Sequence, residues 1–219
     1  MISVISVDFH SGPFKDILID SLKRNADPDG PEYEVLIHDN GAGENMGHAN
    51  GVERLIVQAK YNTILLLDID AHVMLPHWNT ILMQRKNEEW EKGVRLIAGD
   101  GGKLKPVRPC VMMFERDYFT ENKMTFLSKN VEGAKFDVGV LFYFQVLSRG
   151  DDVGFFTHAK SSYPDTIGND YYFDGNPFVF HHWYGTRWFN PKGERVHDKI
   201  DSLTWEKFKQ SRDSLISQL

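Results

Sequence analysis

Apolar residues follow two alternating patterns over the first third of the chain. Short runs rich in branched apolar residues predict strands, and segments with apolar residues every three or four positions predict helices between them. The predicted strands cover residues 2–7, 33–37 and 63–67, and the intervening helices carry Phe14, Ile17, Leu18 and Leu22 in the first and residues 51–60 in the second. This β-α-β-α-β order implies right-handed crossovers and a parallel sheet.

The second half of the chain is less regular. Its patterns predict helices over 76–85, over a segment with Val140, Tyr143, Phe144 and Leu147 on one side, and over 203–219, with short strands at 96–98, 110–114, 153–156 and 178–180. We therefore expect an α/β fold whose mostly parallel sheet is flanked by helices and followed by a smaller mixed region. We expect a single domain over residues 1–219, with halves of about 1–100 and about 101–219.

Composition narrows the class of protein. With 219 residues, of which 41% are hydrophobic, the chain is long enough to bury a core without metal or disulfide links. The single cysteine, Cys110, cannot form an internal disulfide, which favours a reducing, cytoplasmic compartment. No apolar run approaches the roughly 18 to 20 residues that span a bilayer. The formal charge of −6 argues against a surface covered with phosphate contacts.

Carboxylates follow the ends of the first three predicted strands. Asp8 and Asp39 follow the first two, and Asp68 and Asp70 come after the apolar run at 64–67. Parallel strands deliver their last residues to one rim, where ligands of open α/β sheets bind, and period-two geometry points Asp68 and Asp70 the same way. Paired carboxylates attract a hard divalent cation, which is suited to holding a diphosphate. The alternative is a series of solvated polar turns.

Four segments at this rim carry recognisable motifs. They are Val7-Asp8-Phe9-His10-Ser11, Ile37-His38-Asp39-Asn40, Asn45-Met46-Gly47-His48-Ala49-Asn50-Gly51 and Leu67-Asp68-Ile69-Asp70. Together they resemble the first strand end, the Val-Val-Asp-Asn turn, the Asn-x-Gly-x-x-x-Asn run and the Asp-x-Asp signature of GT-A fold glycosyltransferases. The resemblance is closest to the large inverting family 2, which includes rhamnosyltransferases.

The resemblance implies a GT-A type, Rossmann-like fold and transfer of a sugar from a UDP-sugar donor, with Mn²⁺ or Mg²⁺ as the cofactor. By resemblance, Asp70 binds the metal directly, while Asp68 contacts the ribose or shares the metal's ligand shell. Asp39 would accept the N3–H of uracil. The nucleotide-sugar-binding residues that the resemblance implies are Val7, Asp8, Phe9, Asp39, Asn45, Gly47, Asn50 and Asp68.

A candidate catalytic base lies in the second half of the chain. Lys135-Phe136-Asp137-Val138-Gly139 aligns with the segment in which the family places a carboxylate before a helix. The resemblance implies that Asp137 takes the proton of the acceptor hydroxyl as it attacks, which an inverting transfer requires. An aspartate that caps a helix or occupies its first turn is the structural alternative.

Histidines are the remaining candidate metal ligands. The segment around His181 and His182 resembles the late histidine segment of metal-dependent GT-A enzymes, and strand alternation lets only one of the two face the site. Asp70-Ala71-His72 also resembles the Asp-x-His signature of the polypeptide GalNAc-transferases, which would make His72 a ligand. Because those enzymes retain configuration, the stereochemistry of transfer stays open between inversion and retention.

The acceptor and two rival classes stay open. The acceptor is expected to be a saccharide, with a protein or a modified nucleic-acid base as alternatives. A sugar-nucleotide pyrophosphorylase would carry a Gly-rich basic loop after the first strand, where this chain has Asp8-Phe9-His10-Ser11. A non-catalytic nucleotide-sugar-binding module would keep the fold without the chemistry.

Overall fold

The computed structural model describes residues 1–9, 11, 14–40, 46–101, 107–127, 130–131, 134–135, 138–160 and 168–182. Its strands are β1 (Ile2–Asp8), β2 (Tyr33–Asp39), β3 (Thr63–Leu67), β4 (Ala71–Val73), β5 (Val94–Asp100), β6 (Val107–Glu115), β7 (Asn130–Val131), β8 (Ala134–Lys135), β9 (Asp152–Lys160), β10 (Gly168–Phe173) and β11 (Asn176–His182). Its helices are α1 (Phe14–Asn25), α2 (His48–Gln58), α3 (Trp78–Glu91), α4 (Arg116–Glu121) and α5 (Val140–Ser148).

The predicted β-α-β-α-β unit forms the first part of a large sheet. β1 lies between β2 and β3 and pairs with both in parallel, so the three strands end at the same rim. The full strand order is β2-β1-β3-β6-β5-β9-β10-β11-β4. The predicted α/β fold with helices around a central sheet is therefore confirmed.

Strand direction is more mixed than we expected. Among the described strands of this sheet, three pairs are parallel, namely β1 with β2, β1 with β3, and β5 with β9. The other five pairs are antiparallel. Parallel pairing thus dominates only in the first part of the sheet, where a helix connects each strand to the next. In the second half most neighbouring strands run antiparallel, as strands joined by hairpins do.

The sheet curls back on itself at β4. Only residues 68–70 separate β3 from β4 along the chain. In the sheet, however, β3 is near one end of the strand order, and β4 pairs with β11 at the other end. The β4–β11 ladder is antiparallel, and it extends past β4 through a bond from the Met74 N–H to the Phe178 carbonyl of 2.8 Å. The end of β3 therefore lies beside the end of β11. Sequence patterns did not predict β4, because three residues are too few to show a period.

The core lies on both faces of the sheet. Alternate residues of β3 supply the two sides: Leu65 and Leu67 pack with α1 and α3, whereas Ile64 and Leu66 pack with α2 and α5. All four side chains are fully buried, which explains the uninterrupted apolar run in the sequence. Within the described part of the chain, no helix has the length and apolar character needed to cross a membrane.

Helix α5 presents a different face from the one predicted. The prediction grouped Val140, Tyr143, Phe144 and Leu147 on one side of the helix. Val140 is buried and Tyr143 packs, partly buried, against the core, but the other buried residues are Phe142 and Val146. Phe144 and Leu147 are 41% and 42% exposed. The helix is apolar on nearly every side, so its spacing alone does not identify the inner face. The predicted helix over 203–219 lies outside the described residues.

Gly168, at the start of β10, is required by close packing with β11. A Cβ atom there would lie 2.6 Å from the His181 carbonyl oxygen, and the Phe180 ring would be closer still. We expect Gly168→Ala to lower stability by about 1–3 kcal/mol, the usual cost of overpacking a core. Thermal unfolding would measure the change, with Gly154→Ala as the control, because its added methyl group would meet only side chains, at 3.3 Å or more. Equal melting temperatures for the two variants would contradict the packing argument.

Candidate metal and donor site

The turn at residues 68–70 is held on both sides by backbone hydrogen bonds. The Asp68 N–H donates to the Cys110 carbonyl of β6 at 3.0 Å, and the His182 N–H of β11 donates to the Asp70 carbonyl at 2.9 Å. Within the turn, the Ala71 N–H donates to the Asp68 carbonyl at 3.0 Å. These bonds fix the backbone from which both aspartate side chains project.

Asp68, Asp70 and His181 form a compact group at this turn. The His181 Nε2 lies 3.3 Å from Asp68 Oδ2 and 3.3 Å from Asp70 Oδ1, and the three potential ligand atoms lie within 4.8 Å of one another. Two carboxylate oxygens and an imidazole nitrogen fit a divalent cation, and the imidazole suits Mn²⁺ better than Mg²⁺, which prefers an all-oxygen set. The chemistry of the donor set thus fits the cofactor that the sequence predicted.

The carboxylates also control the charge of His181. Burial disfavours the imidazolium form, but interactions with Cys110, Asp70 and Asp68 outweigh it and hold the pKa of His181 well above its ordinary value. Burial raises the pKa of the Cys110 thiol to about 11, so this thiol is neutral near pH 7 and the two carboxylates supply the negative charge. A proton on His181 and a cation between the three side chains would therefore compete for the same negative site.

The other two candidate histidines lie outside this group. In the β4–β11 ladder His181 is opposite Ala71, and Phe180 is opposite His72, so alternation directs His72 and His182 to the other face of the sheet. The His182 ring lies 5.1 Å from the Phe14 ring and 5.6 Å from the His72 ring, measured between centroids. The structure brings together Asp68, Asp70 and His181, but not His72 or His182.

Both of these histidines are neutral at physiological pH. Burial lowers the pKa of His72 to about 4. Burial, followed by the nearby His72 and His181, holds the pKa of His182 well below its ordinary value. Neither ring nitrogen of His182 has a hydrogen-bond partner among the described residues. The two rings therefore pack as neutral groups in the core, His182 beside Phe14 and His72 beside Phe180.

The ends of β1 and β2 lie side by side at the same rim. Asp8 is opposite Asp39 in the parallel ladder, and the Asn40 N–H donates to the Asp8 carbonyl at 2.8 Å. The Asp8 side chain is buried and accepts the Ser11 N–H at 3.0 Å, so it shapes the turn that leads to α1. Asp39 is exposed to solvent at this rim.

The segment that leads into α2 has local structural roles. Gly47 has a φ of 77°, a left-handed conformation that favours glycine, and the exposed Asn50 side chain donates to the Met46 carbonyl at 2.7 Å. A Cβ atom on Gly51 would lie 3.0 Å from the Val7 side chain, so α2 packs directly on β1. Val7 is buried, whereas Phe9 is 40% exposed at the rim.

Two sequence-predicted residues lie outside the described ones, and two residues near the site were not predicted. Asn45 and Asp137 are outside the described residues. His48 Nε2 lies 3.9 Å from Asp68 Oδ1, and the buried Cys110 provides the carbonyl that anchors the turn. His48 occupies a variable position of the quoted motif, and Cys110 lies in an apolar run typical of a strand. The sequence therefore did not indicate that either residue lies near the site.

Solved structures share this fold. TarS 1–349 from S. aureus in complex with UDP-GlcNAc matches with a TM-score of 0.53 and 13% identity, over 94% of this chain and 64% of that one. The mannosyltransferase PcManGT from Pyrobaculum calidifontis in complex with GDP-Man and Mn²⁺ matches with a TM-score of 0.53 and 12% identity, over 74% of this chain and 58% of that one. This chain therefore spans less than two thirds of the length of either structure.

These likenesses, together with the curled nine-stranded sheet, define the class of fold. The chain has the GT-A glycosyltransferase fold. No protein-family model and no curated protein sequence matches it. The assignment to the rhamnosyltransferase-like members of family 2 stays a prediction from the sequence motifs.

The adjacent His181 and His182 offer a matched pair of variants. We expect His181→Phe to weaken Mn²⁺ binding by at least about tenfold, since it removes one of three ligand atoms. His182→Phe should leave Mn²⁺ affinity unchanged and should not lower the melting temperature, because it removes two buried nitrogens without partners among the described residues. Calorimetric Mn²⁺ titration and thermal unfolding would measure both effects. Loss of Mn²⁺ binding in His182→Phe alone would reverse the assignment of the two rings.

Proposed function

We propose that this protein is a metal-dependent glycosyltransferase that moves a sugar from a UDP-sugar donor to an acceptor hydroxyl with inversion of configuration. The observation that carries the proposal is the Asp68, Asp70 and His181 group, which lies at the rim where β1, β2 and β3 end. The GT-A fold supports it, since open α/β sheets bind their ligands at the carboxyl ends of the strands.

Each residue of the group has a distinct task in this proposal. When bound, Mn²⁺ or Mg²⁺ would stabilise the negative charge that the departing nucleoside diphosphate gains. Asp70 and His181 would hold the ion from the protein side, and Asp68 would complete the set or contact the ribose. Asp39, exposed at the rim, would accept the N3–H of uracil. The buried Asp8 would support the turn beside the uracil ring and would not be a main contact of that ring.

Asp137 is the proposed catalytic base, on the strength of the sequence resemblance. The acceptor oxygen attacks the anomeric carbon, the bond from that carbon to the diphosphate breaks, and the hydroxyl proton passes to the Asp137 carboxylate. The nucleoside diphosphate leaves with the bonding electron pair. The proposed acceptor is a saccharide.

Turnover of nucleotide sugars tests the proposal directly. We expect Mn²⁺-dependent release of UDP from at least one member of a UDP-sugar panel, with GDP-mannose included because PcManGT binds GDP-Man. Asp70→Ala should reduce this activity by at least about a hundredfold while the fold is kept, because metal stabilisation of a leaving group contributes several kcal/mol. Asp20→Ala, an exposed aspartate on α1, is the matched control.

The outcomes separate the rival classes. Full activity of Asp70→Ala at saturating Mn²⁺ would contradict the role of Asp70. Binding of a nucleotide sugar without any release of UDP, even with a panel of acceptors, would indicate a non-catalytic binding module. Formation of a UDP-sugar from UTP and a sugar 1-phosphate would indicate a pyrophosphorylase.

A further inference from the structure

His48 stands beside the metal group without belonging to it. It is the first residue of α2, and its Nε2 lies 3.9 Å from Asp68 Oδ1. The other carboxylate oxygen of Asp68, Oδ2, lies 3.3 Å from the His181 Nε2. Asp68 thus lies between an imidazole from β11 and an imidazole from α2, of which only the first belongs to the compact group of ligand atoms.

The exposure of the four side chains gives the direction from which a ligand enters. It rises from 6% for Asp70 and 16% for His181 to 26% for Asp68 and 38% for His48. The closed side of the group is therefore formed by Asp70 and His181, and the open side by Asp68 and His48. A ligand that approaches this group from solvent would therefore enter on the side where Asp68 and His48 lie.

We propose that His48 binds the diphosphate of the nucleotide-sugar donor. This inference rests on the proposed function, because it assumes that a diphosphate occupies the open positions of the ion. A diphosphate carries more oxygen atoms than one cation contacts, and the remaining oxygens need hydrogen-bond donors. The His48 Nε2 can donate such a hydrogen bond on the open side, and His48 is the first residue of α2, at the positive end of that helix's dipole.

His48 is a diphosphate-contacting residue in this proposal, not a metal ligand and not a structural residue. Its Nε2 lies 3.9 Å from Asp68 Oδ1, which is beyond hydrogen-bond distance, so this contact does not orient the carboxylate through a hydrogen bond. Its side chain is also more than a third exposed, so its removal leaves no core cavity. The two alternatives can therefore be separated from the proposal by measuring metal and diphosphate binding independently.

The experiment compares His48→Phe, His48→Gln and His158→Gln. Phenylalanine keeps an aromatic ring without a donor, glutamine keeps an N–H donor, and His158 is an exposed histidine on β9 that serves as the control. Calorimetry would measure three affinities for each protein: Mn²⁺ alone, inorganic pyrophosphate with saturating Mn²⁺, and UDP with saturating Mn²⁺.

We expect all variants to bind Mn²⁺ as the unmodified protein does. His48→Phe should bind pyrophosphate and UDP about tenfold more weakly, on the scale of one hydrogen bond to a charged group, and His48→Gln should recover most of that loss. His158→Gln should bind all three ligands normally. A change in Mn²⁺ affinity in His48→Phe would overturn the proposal in favour of a metal-ligand role.

The same measurements distinguish this proposal from the proposed function. If the unmodified protein binds Mn²⁺ with pyrophosphate or UDP, and His48→Phe binds them equally well, the role of His48 is wrong and the function stands. If the unmodified protein binds Mn²⁺ but neither pyrophosphate nor UDP, the proposal of a glycosyltransferase that uses a UDP-sugar is itself contradicted. Recovery of pyrophosphate and UDP affinity in His48→Gln would show that the loss in His48→Phe comes from the missing hydrogen-bond donor. Equal losses in both variants would show that any substitution at this position has the same effect.

Discussion

The antiparallel pairing of β4 with β11 is the contact on which the candidate site depends. It joins a three-residue strand to the last described strand of the sheet and sets His181 opposite Ala71. Bonds from Met74 to Phe178 and from His182 to Asp70 extend the ladder at both ends. Because Asp68 and Asp70 lie in the turn just before β4, this ladder determines their distance from His181. Without it, the two aspartates would follow β3 without His181 beside them.

The same ladder gives two neighbouring histidines opposite chemical characters. His181 faces two carboxylates, and its pKa is held well above the ordinary value. His182 faces Phe14, Phe180 and the neutral His72, and burial holds its pKa well below that value. One step along a strand changes the side of the sheet, and here it also changes a polar site into an apolar core. The β4–β11 pairing thus assigns His181 to the candidate metal site and His182 to the core.

The first half of the molecule and its rim were largely predictable from the sequence, whereas the completion of the metal group was not. Residues 2–67 carry clear local periods, and the parallel rim follows from the order of strands and helices. The choice between His181 and His182 depends on register with β4, a pairing between distant segments that leaves no local signal. The inner face of α5 was missed because that helix is apolar on nearly all sides. His48 was missed because its proximity to Asp68 depends on the packing of α2 beside β3 and leaves no pattern in the local sequence.

The turn at 68–70 also has a consequence for how the chain assembles. Asp70 and His181 are 111 positions apart in the sequence, so their contact closes a long loop. Contacts between such distant residues slow folding, because the entropy of loop closure is lost before the contact contributes any stability. A cation bound by Asp68, Asp70 and His181 would tie the end of β3 to β11. The free energy of cation binding would then stabilise the closed sheet, so the site would contribute to folding stability as well as to catalysis.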